Sequence, residues 1–227
     1  MKIAALTDLH GRSAIIPRFG PVLADADLVL LTGDNTHFGH KAEMQAIIHA
    51  VWQFNKDVLA VSGNCDYTDG EKWLVDAGIG LGSCCKAFGD LCFVGLSGSL
   101  PCPGTTPQEY TEEEFQDCLE GMEKDIRHPF ILVTHQPPFG TVSDSVSPGQ
   151  HVGSRTIRLF IEKHSPLVCF TGHIHEGRGS DTIGQTQVVN PGPARDGNYA
   201  SLIVEDGKIK DLRIGRLYSI QDERLTG

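Results

Sequence analysis

Five short apolar runs, each broken off at a Gly, Asp, Asn or His, constrain this chain more tightly than any other feature. They are KIAALT (2–7), DLVLLTG (27–33), VLAVSG (58–63), FILVTH (130–135) and PLVCFTG (166–172). All five read as strands, and amphipathic stretches alternate with them. Met44, Ile47, Val51 and Phe54 form a helical stripe over 41–54, and 69–77 reads as a short helix. Thr111 and Glu114 make a capping-box signal for a helix to about Lys124. Ser154 is placed to cap another, running to about His164. Residues 86–96 read as a hairpin turning at Gly89–Asp90. The last quarter holds two more, turning at Gly184–Gln185 and Asp206–Gly207, with little tail beyond 216. No repeat, linker or low-complexity segment divides the chain, so 1–227 is expected to be one α/β domain with mixed sheets.

Twenty-nine acidic residues against nineteen Lys and Arg leave a formal charge of −10. That balance speaks against a nucleic-acid backbone or an anionic membrane as docking partner, since both need a basic face. A small anionic substrate stays open, provided local cations intervene. No apolar run approaches the length that spans a bilayer. The N-terminal MKIAALTDLHG is too short for a signal-peptide core and reads as strand. The cysteines at 65, 84, 85, 92, 102, 118 and 169 are odd in number and form no C-x-x-C. Reduced thiols in a cytoplasm fit them better than a disulfide framework. Oligomeric state is left open.

Polar residues concentrate immediately after the strands. Asp8 and His10 follow the first, Asp34 the second, Asn64, Cys65 and Asp66 the third, His135 the fourth, and His173 and His175 the fifth. In open α/β sheets the carboxyl ends of the strands form the ligand crevice. Asp8, His10, Asp34, Asn64, His135, His173 and His175 thus deliver seven O and N donors to one edge, too many for a single ion. Two divalent ions about 3.5–4 Å apart, bridged by a carboxylate, suit such a set. His173 and His175, two apart on an extended segment, diverge and can serve neighbouring ions. Glycines at 11, 33, 63 and 172 permit close approach in a crowded site. Mn, Fe, Zn, Ni and Co all accept these ligands, with Mn favoured. Arg12, His37, His151 and Ser154 are weaker candidates for contacting substrate, each with a plain surface, loop or capping role as its alternative.

The ordered set D-x-H, G-D, G-N-C-D, a lone His and G-H-x-H resembles the calcineurin-like metallophosphoesterase superfamily, from Asp8 to the N-P-G at 190–192. The segment from T-H-Q-P-P through G-H-I-H-E looks like a small, capless prokaryotic branch. The resemblance implies a four-layer α/β/β/α sandwich, two facing mixed sheets with helices outside and the metal site at the carboxyl ends of strands. It assigns Asp8, His10, Asp34 and His175 to one ion and Asp34, Asn64, His135 and His173 to the other, with Asp34 bridging. It implies a phosphohydrolase in which a bridging hydroxide attacks phosphorus in line. A phosphodiesterase is the favoured expectation. The alternatives are a nucleotide or small-molecule phosphomonoesterase or pyrophosphohydrolase, and a non-catalytic metal-binding scaffold. The expected partner is a small phosphorylated substrate, nucleotides among them.

Cys65 departs from the pattern. Most of the family has His there, paired with the following acid (here Asp66) and taken to protonate the leaving group. A thiol with a pKa of about 8.5 is a poorer acid–base partner near pH 7 than imidazole at about 6.5. A small side chain shaping the pocket is the favoured role, with proton donation the alternative. Cys65→His is expected to preserve or raise turnover in a steady-state assay. A large loss would mean that the thiol itself matters or that imidazole does not fit.

Overall fold

Every residue of 28–32, 58–61, 91–96 and 130–134 is buried. Strands covered on both faces belong to sheets sandwiched between other layers. A computed structural model of the chain describes residues 1–217. Its elements begin with β1 (Lys2–Leu6), a 3-10 turn (Ser13–Phe19), α1 (Gly20–Ala24), β2 (Leu28–Thr32), α2 (Lys41–Val51), β3 (Val58–Val61) and α3 (Thr68–Asp76). Then come β4 (Cys84–Phe88), β5 (Leu91–Leu96), α4 (Glu112–Met122), β6 (Phe130–Thr134), β7 (Ser145–Ser147), β8 (Gln150–His151) and α5 (Arg155–His164). The chain continues through β9 (Val168–Phe170), β10 (Gly179–Ile183), β11 (Thr186–Asn190), β12 (Asn198–Glu205) and β13 (Lys208–Arg216). The expected short tail beyond 216 lies, from 218 on, outside the described residues.

Among the described residues one sheet runs β13-β12-β1-β2-β3 and the other β10-β11-β9-β6-β5-β4. The β1–β2–β3 and β5–β6–β9–β11 pairings are parallel, and the outer strands pair antiparallel. Alternation along each strand splits the core into three. Ile3, Ala5, Leu28 and Leu30 face Phe93, Ile131, Val133 and Phe170 between the sheets. Ala4, Leu6, Val29 and Leu31 pack outward on Phe19, Met44, Ile47 and Val51. Val94, Phe130 and Leu132 pack outward on Phe115, Leu119, Ile157 and Phe160. The result is the four-layer α/β/β/α order expected from the resemblance.

Local signals set the helix starts. Thr111 Oγ1 accepts from the Glu114 amide (3.2 Å) while Glu114 Oε2 accepts from the Thr111 amide (2.8 Å). Ser154 Oγ accepts from the Ile157 amide at the head of α5 (3.1 Å). The 41–54 stripe is helical only to Val51, yet Phe54 still packs on the same core.

The segment 136–153 is long, polar and turn-rich, the composition of a surface loop, yet it is partly buried. Gln136, Thr141, Ser143 and Asp144 are buried, and 145–151 folds into the small β7–β8 hairpin. A buried loop must satisfy its own backbone donors. Asp144 does so here: its carboxylate accepts from the amides of Gly140 (3.0 Å), Thr141 (2.8 Å) and Gly153 (2.9 Å) and pairs with His151 Nδ1 (2.7 Å). The loop backs the G-H-I-H segment, because Gly177 lies so close to the Ser143 carbonyl that a Cβ would collide with it. Asp144→Ala strands three backbone donors at once. It should lower unfolding free energy by about 3 kcal/mol in chemical denaturation; a loss below about 1 kcal/mol would contradict this anchoring role.

Candidate metal centre

The parallel strands of both sheets point their carboxyl ends at one seam, and backbone contacts there knit the loops together. Asp8 and His10 donate their amides to the Gly33 and Asp34 carbonyls (3.0 and 2.8 Å). The His135 carbonyl accepts from the Gly172 amide (3.1 Å) and the Thr171 hydroxyl (2.9 Å), and the His173 amide donates to Asp8 Oδ2 (3.2 Å). Asn190 Nδ2 donates to the Ile174 carbonyl (2.8 Å), so the N-P-G motif pins the loop between His173 and His175.

The loops are held in costly backbone shapes. Asp8, His10, Asp34 and His173 all have positive φ, at 53°, 45°, 48° and 67°. Each such residue costs on the order of 1–2 kcal/mol relative to ordinary backbone. Four candidate ligands sharing this feature mark a site whose geometry the surrounding structure enforces. Close approach matters as well. A Cβ on Gly33 would strike the His135 ring, and one on Gly63 would strike the Asp34 carboxylate.

The donor atoms converge. Those of Asp8, His10 and His175 lie within 4.8 Å of one another, as do those of Asp8, Asp34 and His135, and those of His10, Asp34 and Cys65. Asn64 Oδ1 joins them 3.1 Å from His135 Nε2. The His173 ring stands 5.1 Å, centroid to centroid, from that of His135. All seven expected donors therefore gather at the seam. Asp8 shares groups with both histidine sets, so by geometry it lies between them much as Asp34 does.

Asp8 and Asp34 are 1% and 3% exposed. Burial opposes their charge, but hydrogen bonding to His175 for Asp8, and the charge and hydrogen bond of His135 for Asp34, keep both below the usual carboxylate range. His135 donates Nδ1–H to the Thr32 carbonyl (2.9 Å), and its Nε2 faces Asn64 Oδ1 (3.1 Å) and Asp34 Oδ1 (3.4 Å); burial opposes its charge, but Asp34 beside it pushes the ring up to about 9. Burial, reinforced by His135, pushes His173 down to about 4, so that ring is neutral near pH 7. His10 Nε2 and His175 Nε2 face each other at 3.3 Å beside Asp8 Oδ1. Imidazole nitrogens and carboxylate oxygens converging in this way fit divalent transition ions.

The other sequence candidates are placed as follows. Burial, with Asp34 beside it, pushes the Cys65 thiol upward, so it stays protonated, and its amide donates to Asp34 Oδ1 (2.8 Å). Asp66 is fully buried and its carboxylate accepts from Thr36 N (2.7 Å), Thr36 Oγ1 (2.6 Å), Gly63 N (2.9 Å) and Asn35 N (3.1 Å). It therefore ties the loops after β2 and β3 together. Burial and the nearby Asp34 charge push it up to about 6. His37 is exposed and sets its ring edge-on to His10, 5.6 Å between centroids. Arg12 is exposed beside the first loop. His151 is paired with Asp144, and the Ser154 hydroxyl is committed to its helix cap and to Glu112 Oε2 (2.6 Å); the structure does not bring these two into the donor cluster.

Sequence reasoning missed Arg195, whose Nη2 is 3.0 Å from His175 Nδ1. Its position three residues after the N-P-G motif was the available signal. Gly63→Ala drives a methyl into Asp34 without removing any ligand. It is expected to weaken Mn²⁺ binding about 10–100-fold in an equilibrium titration; unchanged affinity would mean that the Asp34 position is not critical.

A profile of the calcineurin-like phosphoesterase superfamily domain matches residues 1–204. A protein of Methanocaldococcus jannaschii, MJ1162, is 39% identical over 197 residues, covering 85% of this chain and 88% of that one. Among solved structures, TT1561 of Thermus thermophilus is similar with a TM-score of 0.75 at 18% identity, covering 96% of this chain and 99% of that one. An archaeal phosphodiesterase is similar with a TM-score of 0.54 at 17% identity, covering 96% and 100%. At such identities the solved structures speak to the fold alone. With the family match spanning nearly the whole chain, this protein belongs to the calcineurin-like phosphoesterase superfamily.

Proposed function

We propose that this chain is a dinuclear metal-dependent phosphodiesterase acting on a small phosphorylated substrate in the cytoplasm, with Mn²⁺ the favoured ion. The observation that carries the reading is the set of three overlapping donor groups, linked to one another through the buried Asp8 and Asp34. On this reading Asp8, His10, Asp34 and His175 hold one ion, and Asp34, Asn64, His135 and His173 hold the other. Bound there, two divalent ions supply positive charge for the phosphoryl oxygens and activate water as the nucleophile.

The chain's own residues do the rest. Thr32 fixes the orientation of the His135 ring by accepting its Nδ1–H, so Nε2 is the nitrogen that would give up its proton and hold an ion. Asp66 is a positioning residue: by holding the amides of Asn35, Thr36 and Gly63 it sets where Asp34 and Asn64 stand. Cys65 keeps its thiol proton beside Asp34 and His10, and burial makes it a weaker acid still, so it gives a leaving oxygen little help. Because a thiol is a weaker donor than an imidazolium, substrates with good leaving groups should turn over best. The archaeal phosphodiesterase of the same fold lends the diester choice its analogy; the residue roles rest on this chain's own contacts.

The test compares Mn²⁺-dependent hydrolysis of a bis-aryl phosphate with that of an aryl monophosphate, alongside Asn64→Ala and His135→Ala. The diester should be preferred and each variant should lose at least about 10²-fold in kcat/KM while unfolding cooperatively as before. A strong monoester preference would replace the diesterase with the monoesterase alternative. No metal and no turnover on either substrate would leave the scaffold.

A further inference from the structure

The face of His175 turned away from the donor cluster opens onto a groove of about 290 Å³ that carries Arg178, Arg195 and Arg216. These arginines reach it from three different places. Arg178 follows the 3-10 turn His175–Gly177, Arg195 lies in the turn Ala194–Asp196, and Arg216 ends β13. Arg195 Nη2 touches His175 Nδ1 at 3.0 Å, while His175 Nε2 faces Asp8 and His10. The groove and the cluster are thus the two sides of one imidazole.

Beyond the contact of Arg195 with His175, the guanidiniums are weakly engaged by the protein. Arg178 Nη2 and Arg216 Nε each donate to one carbonyl, those of Gly215 and Asp196, at a long 3.4 Å. Among the described residues none of the three forms an ion pair with a carboxylate, whereas Lys2, Lys72 and Arg158 each sit on one. Among the described residues lining the groove, Asp196 is the single acid. Three like charges gathered in one groove repel one another, and a guanidinium fork matches phosphate oxygens two at a time. In a chain of net charge −10 this is a local inversion of sign beside the reacting centre.

We propose that this groove is a subsite for a second phosphate on the substrate: one phosphoester meets the cluster while another phosphate group of the same small molecule is held by Arg178, Arg195 and Arg216. The substrate class is then a bis-phosphorylated small molecule rather than a simple diester. This rests on the phosphoesterase reading above and narrows its substrate.

The test measures binding with non-hydrolysable probes, by calorimetric titration into the full chain at buffered free Mn²⁺. The probes are propane-1,3-diylbisphosphonate and propylphosphonate. The bisphosphonate should bind at least about tenfold tighter than the monophosphonate, and this ratio should fall towards one in R178Q/R216Q. Equal affinities in the unaltered chain overturn the proposal whatever the variants do. So does a preference that survives in a folded R178Q/R216Q chain, with folding checked by its thermal midpoint. Hydrolysis of a bis-aryl phosphate measured in parallel separates the two claims. Turnover without the bisphosphonate preference overturns the subsite alone; the preference without turnover overturns the catalytic reading and leaves an anion-binding groove.

Discussion

Two carboxylates, Asp8 and Asp34, are taken out of water side by side, and the rest of the site answers that constraint. Removing a charge from water costs several kcal/mol even after the protein relaxes, and like charges held close add to it. The compensation comes from His135, His10 and His175 around the pair, from the amides of Cys65 and His173, and from the Thr7 hydroxyl on Asp8 Oδ2 (2.8 Å). A divalent cation is the counter-charge that such an acceptor-rich, largely buried cluster suits best.

The fold supplies the cluster by ending parallel strands of two facing sheets at a common seam, with the loops after β1, β2, β3, β6 and β9 laid against one another. Two further buried carboxylates act on the backbone that carries the donors. Asp66 gathers amides of the β2 and β3 loops, and Asp144 gathers those of the segment that backs His173 and His175. Each lets irregular backbone be buried without orphaned donors. The strain at Asp8, His10, Asp34 and His173 can persist because these contacts over-determine the loops.

Much of this was legible in the sequence because it is local. Strand runs, the Thr111–Glu114 capping box, the Ser154 cap and the hairpin turns depend on neighbours a few residues away. The seven donors were legible because each ends a strand in a recurring pattern. The roles of Asp66, Asp144 and Arg195 were not, since their partners are backbone amides or a ring brought near only by folding. Asp66 reaches Thr36 thirty residues back, and Arg195 reaches His175 only because β11 returns the chain to the seam. Burial of Gln136, Thr141, Ser143 and Asp144 was hidden for the same reason: polar composition looks solvated until a carboxylate satisfies its amides.

Globally the protein is acidic, while beside His175 the sign reverses. On the proposed reading, steering of an anionic substrate would fall to the groove and to ions held at the seam rather than to the whole surface. The central claim, a two-ion centre at the seam, is tested most directly by anomalous diffraction from Mn²⁺-loaded crystals. The account predicts two anomalous peaks, one among Asp8, His10 and His175 and one among Asn64, His135 and His173, with Asp34 between them. A single peak, or peaks away from these residues, would contradict it.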